Sequence, residues 1–288
     1  LTKSSIIDMQ QNLFTKDEII LIELEFAKGD ILTPAKIEES ILRLQKTGYF
    51  NTVEIRTLEQ RTAVADRTVV VKVAERDPGT FTLGFGATNE RNGTLRGYSG
   101  IGYHNLMGTG RGMSARLEGN YNIADIKYLE LKVIFSYLEP YLFNSRLRGR
   151  VNVSRSRYVD ALNEKQGVES NQYIYTVEKN FTSHITGIFE LYNLEQFRDF
   201  TLRDVESTVD LNETNQTLRQ QNIASRGPTL DIDFIDNPFL PTRGIFSRFK
   251  FDYASPSLGS SSTIEYYRFT GSVTHYWPVI SNWVWAHN

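Results

Sequence analysis

Beyond residue 78, apolar and polar residues alternate along most of the chain, most clearly between residues 78 and 121. The first segment has one face with Phe81, Leu83, Phe85 and Ala87, and another with Thr80, Thr82, Gly84, Gly86 and Thr88. A period of two is typical of strands with one apolar and one polar side. Two architectures remain open here. A soluble sandwich buries its apolar faces in a core, whereas a transmembrane barrel turns them to lipid.

The alternation predicts about ten strands and the start of an eleventh after residue 79. Beyond the first segment and a second strand that starts near Leu95, strands are expected at residues 113–121, 129–137, 146–154, 171–180, 185–194, 222–234, 245–254, 263–276 and from 283 onward. One of them places Arg146, Arg148 and Arg150 on its polar side. Three such arginines are hard to bury in a soluble core, whereas a polar lumen hydrates them or pairs them with acids. We therefore expect these arginines to face a lumen.

Connection lengths give a second reason to prefer a barrel. The even-numbered connections are short, at roughly 108–110, 139–143, 181–184 and 235–244. The longest connections, 157–170 and 195–221, both belong to the odd-numbered set. Short turns on one side and long polar loops on the other are typical of outer-membrane barrels. This sorting favours a transmembrane barrel, with the two long loops on the cell exterior.

The first 77 residues predict a small α+β module. Thr15 is expected to cap a helix that carries Asp17 and Glu18 in its first turn and stops near Gly29. Thr33 and Pro34 open a second helix, which ends at Gly48. Two strands are expected at 51–58 and 68–75, and a further strand at 5–9 would complete the sheet.

Composition excludes several function classes. The 288 residues carry a net charge of −2, which gives no electrostatic case for nucleic-acid binding. The chain has no cysteine, so a disulfide framework and a thiolate metal site are both excluded. No run of 18 apolar residues is present, and the mean hydropathy is −0.36. Leu1 is not an initiator and no apolar leader follows it, so we expect the chain to begin inside a longer protein or to follow processing.

Catalytic and metal motifs have little support. The four histidines show no metal spacing, and no G-x-S-x-G motif is present, so we expect no enzyme and no cofactor. A barrel hydrolase remains an alternative, because His104 and His275 accompany abundant serines. Asp231 and Asp233 share one strand face and could hold a cation, although pairing with the arginines is the preferred interpretation.

The segment GDILTPAKIEESILRLQKTGYFNTVEI resembles a POTRA domain, the periplasmic module of outer-membrane protein assembly factors. Within LQKTGYFNTV, Gly48 lets the chain leave the helix with positive φ, and Tyr49 and Phe50 plug the space between helix and sheet. We interpret Gly29, Gly48, Tyr49, Phe50 and Val53 as a structural signature of this domain, which would span residues 1–77.

Two later segments extend the resemblance to BamA-like proteins. YHNLMGTGRGMSARLEGNY, from Tyr103, resembles the second and third barrel strands of that family. DNPFLPTRG resembles its periplasmic turn with Asp236, Pro241 and Gly244. The family's Val-Arg-Gly-Phe/Tyr loop and its closing strand are missing, and an open sheet edge in lipid is costly. Residues 78–288 are therefore expected to be the first part of an antiparallel barrel of about sixteen strands.

The resemblance implies an outer-membrane protein insertase of the BamA or TamA type. Its partners would be unfolded outer-membrane barrel proteins, periplasmic chaperones, accessory lipoproteins and the lipid bilayer. The first barrel strand would form a lateral gate where client strands add, with Gly79, Thr80, Phe81, Thr82, Leu83, Gly84, Phe85 and Gly86 as its residues. Glycine weakens a strand, as a gate requires. A secretion pore of the two-partner type has the same architecture, and only the resemblance separates the two functions.

Overall fold

The computed structural model describes residues 3–10, 14–58, 66–89, 93–123, 128–160, 166–182, 184–201, 220–236, 241–280 and 283–287. These residues contain two α-helices and fourteen strands. The chain forms two compact units. The first unit comprises residues 1–81, 101–114 and 138–146, and the second comprises 82–100, 115–137 and 147–288. No helix among the described residues is both long and apolar enough to cross a bilayer.

The first unit contains a three-stranded sheet and two helices. Its elements are β1 (Lys3–Gln10), α1 (Asp17–Glu23), α2 (Pro34–Lys46), β2 (Phe50–Thr57) and β3 (Asp66–Glu75). The sheet order is β1-β3-β2, with β1 parallel and β2 antiparallel to β3. The expected α+β module is thus present, including the strand near residues 5–9.

Helix α2 begins and ends where its sequence predicts. The hydroxyl of Thr33 accepts a hydrogen bond from the N–H of Lys36 at 3.3 Å, and Pro34 occupies the first helical position. The helix ends at Lys46, and Gly48 follows with a φ of +77°. Gly29, before α2, has a φ of +94°. Only glycine adopts such angles without steric cost, so both turns require it.

Helix α1 differs from its prediction at both ends. Lys16, not Thr15, is the N-cap residue, and the helix stops at Glu23 rather than near Gly29. The Thr15 hydroxyl instead accepts a hydrogen bond from Asn105 Nδ2 at 2.8 Å, a residue 90 positions away. The predicted cap fails because this distant partner takes the hydroxyl, which a local pattern cannot reveal.

The core of the first unit lies between the helices and the three-stranded sheet. Ile20, Leu44, Val69 and Val71 are fully buried there. A second set of side chains is nearly buried in the same cluster: Tyr49, Phe50 and Val53. Alternate residues of β2 and β3 enter this core, since successive side chains of a strand point to opposite faces.

Eleven further strands form one sheet. They are β4 (Gly79–Thr88), β5 (Thr94–Leu106), β6 (Arg111–Asn122), β7 (Leu129–Glu139), β8 (Leu147–Val159), β9 (Gln166–Asn180), β10 (Ile185–Thr201), β11 (Gln220–Asp233), β12 (Gly244–Ala254), β13 (Tyr266–Ile280) and β14 (Trp283–His287). Consecutive strands are neighbours throughout, and the pairs from β8 to β14 are antiparallel. The predicted number of strands is confirmed.

One predicted loop is wrong. Residues 157–170 were expected as a long connection, but β8 and β9 pair through most of it, with Arg157 opposite Glu169 and Val159 opposite Gly167. Only residues 160–165 separate β8 from β9. The connection after β12, residues 255–265, is longer than this, and so is the even-numbered connection 234–243. Loop lengths are therefore sorted less sharply than the sequence predicts. Of the other predicted long loop, 195–221, residues 202–219 lie outside the described residues, and the rest belongs to β10 and β11.

Candidate functional site

Strand β4 stands at one end of the eleven-stranded sheet. Within the described residues its neighbour is β5, and the opposite edge of the sheet is β14. An edge strand presents backbone N–H and C=O groups that a further strand can pair with. The residues expected to form a gate therefore lie along one sheet edge.

One face of this edge strand is apolar and exposed. Phe81 is 69% exposed, Leu83 68% and Phe85 93%. Large exposed apolar side chains on an edge strand favour association with lipid or with another strand. The apolar face continues on β7, where Leu129, Leu131, Val133 and Phe135 are exposed.

On the other face, the side-chain contacts between β4 and β5 are slight at Thr80 and Thr82. The Thr80 hydroxyl donates to the Gly102 carbonyl oxygen at 3.4 Å, and the Thr82 hydroxyl donates to that of Gly100 at 3.5 Å. Distances of this length give weak hydrogen bonds. Gly100 and Gly102 leave space beside them for the two threonines. Few side-chain contacts therefore reinforce the backbone pairing at this end of β4.

The glycines of β4 do not all weaken it. The ring of Tyr98 covers Gly84, since a Cβ at Gly84 would lie 2.4 Å from that ring. The Arg116 guanidinium stacks over the same Tyr98 ring, 4.4 Å from its centroid. An aromatic ring over a glycine replaces the missing cross-strand contact. A Cβ at Gly86, by contrast, would meet no atom within 4 Å. The weak position is thus Gly86, and the sequence argument is corrected at Gly84.

The polar face of the second unit carries a series of ion pairs. Glu178 accepts from Arg148 at 3.2 Å and lies 3.9 Å from Arg150. Further pairs join neighbouring strands: Arg155 and Arg157 with Glu169, Arg248 with Asp231, and Arg268 with Asp252. Lys250 of β12 pairs with Glu190 of β10, across β11. These pairs balance the charge of the polar face, as the interior of a polar lumen requires.

The two candidate cation ligands do not form a common site. Asp231 accepts two hydrogen bonds from Arg248, both at 2.7 Å, and Asp233 Oδ1 accepts from the N–H of Ile235 at 3.0 Å. The preferred interpretation, pairing with arginine, applies to Asp231, although the partner is Arg248. In the described part of the chain, no three His, Cys, Asp or Glu side chains are grouped to hold a metal.

The prediction that Arg146 shares a lumen face with Arg148 and Arg150 is wrong. Arg146 precedes β8 and donates to the carbonyl oxygens of Ile22 and Leu24, both at 2.8 Å, and to Glu25 at 2.6 Å. These carbonyls lie at the end of α1, where helix C=O groups lack partners within the helix. No basic residue lies in the last turn of α1, and Arg146 supplies the cation that a helix C-terminus favours.

Two sheet turns belong to the first unit, and this arrangement was not predicted. Tyr49 OH donates to the Gly110 carbonyl at 2.7 Å, and Tyr141 OH donates to Glu23 at 2.9 Å. Lys16 N–H donates to the Gly108 carbonyl at 2.8 Å. The sequence signal was the Asn-Leu-x-Gly-x-Gly segment. Its residues with positive φ are Asn105, Met107, Gly108 and Gly110.

Asp236 organises the turn before β12. Its Oδ1 accepts from the N–H of Thr242 at 2.9 Å and of Arg243 at 3.1 Å, just after Pro241. Gly244 then has a φ of +119°, and a Cβ there would lie 2.1 Å from the Phe234 carbonyl oxygen. Asp236 and Gly244 therefore each have a backbone role, while residues 237–240 lie outside the described part.

The fold of this chain is similar to parts of three known structures. BamA from Haemophilus ducreyi lacking POTRA domains 1-3 is 19% identical with a TM-score of 0.68, covering 99% of this chain and 54% of that chain. CdiB from Acinetobacter baumannii is 13% identical with a TM-score of 0.60, covering 96% and 49%. CdiB from Escherichia coli is 12% identical with a TM-score of 0.61, covering 99% and 53%. This chain spans about half the length of these proteins.

Two family models match the chain. A POTRA model, described as surface antigen variable number repeat, matches residues 4–76. A model of the Omp85 superfamily domain matches residues 105–287. The expected fold, an α+β POTRA domain followed by strands of an antiparallel barrel, is confirmed. Because the second model covers more than half of the 288 residues, the chain belongs to the Omp85 superfamily.

Proposed function

We propose that this chain is part of an outer-membrane protein assembly factor in which β4 pairs with strands of unfolded barrel proteins. The observation that carries the proposal is the character of β4, the first strand of the sheet. Its apolar side chains are exposed, and its side-chain hydrogen bonds to β5 are long. Such an edge can exchange one partner strand for another, because strand addition uses backbone groups common to all clients.

The proposed location is the bacterial outer membrane. The exposed apolar side chains of β4 and β7 suit a lipid-facing surface, and the ion pairs around Glu178 suit a hydrated lumen. In this proposal residues 1–77 form a periplasmic POTRA domain and residues 78–288 form the first part of the barrel. Barrel clients, periplasmic chaperones and accessory lipoproteins are its proposed partners.

A secretion pore of the two-partner type is the second candidate. The likeness to two CdiB structures supports it, as does a polar face whose charges are paired from β8 to β13. In a pore, β4 would stay paired with the last barrel strand and the substrate would cross the lumen. In an assembly factor, β4 must separate from the last barrel strand.

A disulfide lock in the intact parent protein separates the two functions. Thr82→Cys and Gly86→Cys are each combined with a cysteine scan of the last barrel strand. The 288 residues of this chain contribute no competing thiol. Gly86 is preferred over Gly84, because a side chain at Gly84 would displace the Tyr98 ring. Cells carrying each locked protein are tested for assembly of other outer-membrane barrels and for secretion.

The assembly factor requires that locking stops client assembly while the barrel stays folded, and that reduction of the disulfide restores assembly. The control is the same single cysteine without its partner. A locked protein that supports normal growth and client assembly would falsify the proposal. Secretion that continues through the locked barrel would establish the pore instead.

A further inference from the structure

The apolar face of the second unit contains a depression between β8 and β13. Its volume is about 510 Å³, within the range of pockets that hold small ligands. Pro228, Phe189, Phe251 and Phe269 line it, and the Phe181 ring covers Gly187 beside them. Pairing places these residues on the same side, since Phe189 lies opposite Pro228 and Phe251 opposite Phe269. We call this depression the glycine groove.

Two lysines line the glycine groove, and one of them, Lys250, forms ion pairs with Glu190 and Asp252. Lys179 pairs in register with Gly187 and with Leu147, both groove residues, and its side chain is exposed. The preceding residue, Glu178, points to the opposite, polar face of the strand, where it pairs with Arg148. Among the described residues, no acidic group forms an ion pair with Lys179. Lys179 is therefore the groove lysine without an acidic partner among the described residues.

The position of Lys179 along β9 sets its depth in a membrane. The strand ends at Asn180, and the turn at residues 181–184 follows. Phe181, from this turn, lies over Gly187, and its ring centroid is 5.9 Å from Lys179 Nζ. A lysine near the end of a spanning strand extends its ammonium to the interface while its stem stays in apolar surroundings. Aromatic residues are enriched at the same level.

We propose that the glycine groove binds one phospholipid, with an acyl chain against Pro228 and Phe251 and the phosphate on Lys179. This inference rests on the proposed outer-membrane location. A depression facing hydrocarbon must be filled, because an empty one forfeits dispersion contacts along its lining. An ordered acyl chain fills it, and the ammonium of Lys179 is a compact charge that suits a phosphodiester. The ammonium of Lys179 lies at the rim and the apolar space lies below it, which matches the charged headgroup and the apolar chains of a phospholipid.

Photo-crosslinking tests the site in the intact parent protein. The protein is inserted into phosphatidylethanolamine and phosphatidylglycerol vesicles that contain a trace of phospholipid with a mid-chain diazirine. Crosslinked peptides are then mapped by mass spectrometry. We expect stronger crosslinking at Phe189, Pro228 and Phe251 than at Leu131 and Val133, which lie on the apolar face of β7 without a groove. Equal crosslinking at the two places would overturn the proposal.

Variants separate the acyl chain from the headgroup. Lys179→Gln should lower groove crosslinking about fivefold, the effect of one interfacial positive charge. Lys179→Arg should retain it, and Lys132→Gln is the matched control away from the groove. Pro228→Trp should fill the groove and remove its crosslinks while those at Leu131 persist, which also reports that the variant has folded.

Each other outcome has a distinct meaning. Groove crosslinking that is unchanged by Lys179→Gln refutes the phosphate contact. Groove crosslinking in vesicles that disappears in native membranes indicates a protein occupant and refutes the lipid. Loss of crosslinking at both the groove and Leu131 in the wild-type protein would show that these strands do not face lipid, so the proposed membrane location would fail together with the site.

Discussion

Replacing Arg146 with alanine removes three hydrogen bonds at the end of α1. The guanidinium donates to the carbonyl oxygens of Ile22 and Leu24 and to the carboxylate of Glu25. Hydrogen bonds from a charged donor contribute about 1.5–3 kcal/mol when buried, but the Arg146 side chain is 41% exposed, which weakens them. Glu25 keeps a second partner in Arg43, so no carboxylate is left alone. We expect a net loss of about 2 kcal/mol in local stability.

Hydrogen exchange measures this loss directly. If α1 opens locally, about 2 kcal/mol corresponds to amide exchange about 30-fold faster in residues 17–24. Arg146→Lys should give an intermediate rate, because lysine keeps the charge but cannot contact three acceptors in the same planar arrangement. Arg148→Ala is the matched control, since its partner is Glu178 in the second unit. Unchanged exchange of α1 in Arg146→Ala would refute the assignment of Arg146 to the helix end.

Three further outcomes are expected. Leu131→Arg should lower folding stability in bilayers by about 2–4 kcal/mol, because Leu131 is 40% exposed on the apolar face. Arg148→Gln should lower it by about 1 kcal/mol or less. Equal losses in a reversible folding titration would mean that the two faces are assigned wrongly. Gly244→Ala should lower the free energy of unfolding by about 1–3 kcal/mol, because the φ of Gly244 is +119° and a Cβ there would meet the Phe234 carbonyl oxygen. Gly86→Ala is the control, since a Cβ at Gly86 meets no atom within 4 Å. Equal stabilities of the two variants would refute the strain at Gly244. Ser262→Cys, in the odd-numbered connection 255–265, should react with an impermeant maleimide on intact cells, and so should cysteines placed in residues 202–219. Met107→Cys, at a position that is 77% exposed in an even-numbered turn, should react only after lysis. The reverse labelling pattern would mean that the two sides of the barrel are assigned the wrong way round.

Local patterns predicted the elements of this fold well. Alternation indicated the number of strands, and the Thr33-Pro34 pair with Gly48 gave both ends of α2. These features depend on the backbone preferences of neighbouring residues, which a sequence contains directly.

Features that depend on distant partners were missed. Arg146 was assigned by alternation, yet its acceptors are more than 120 residues earlier. The end of β8 and the start of β9 resemble a polar loop in sequence, because Arg155, Arg157 and Glu169 carry charges that neutralise one another only after the strands pair. Gly84 has the sequence context of a weak point because Tyr98 is not near it along the chain.

The central claim is that the β4 edge pairs with client strands. The most direct measurement places a photo-crosslinking amino acid at Phe85, on the edge strand, and at Val133, on the apolar face of β7. The intact parent protein is then illuminated in cells during expression of a barrel client stalled in assembly. We expect the client's strands to crosslink at Phe85 and not at Val133, with the crosslink lost when assembly completes. Equal crosslinking at the two positions, or none at Phe85, would contradict the claim.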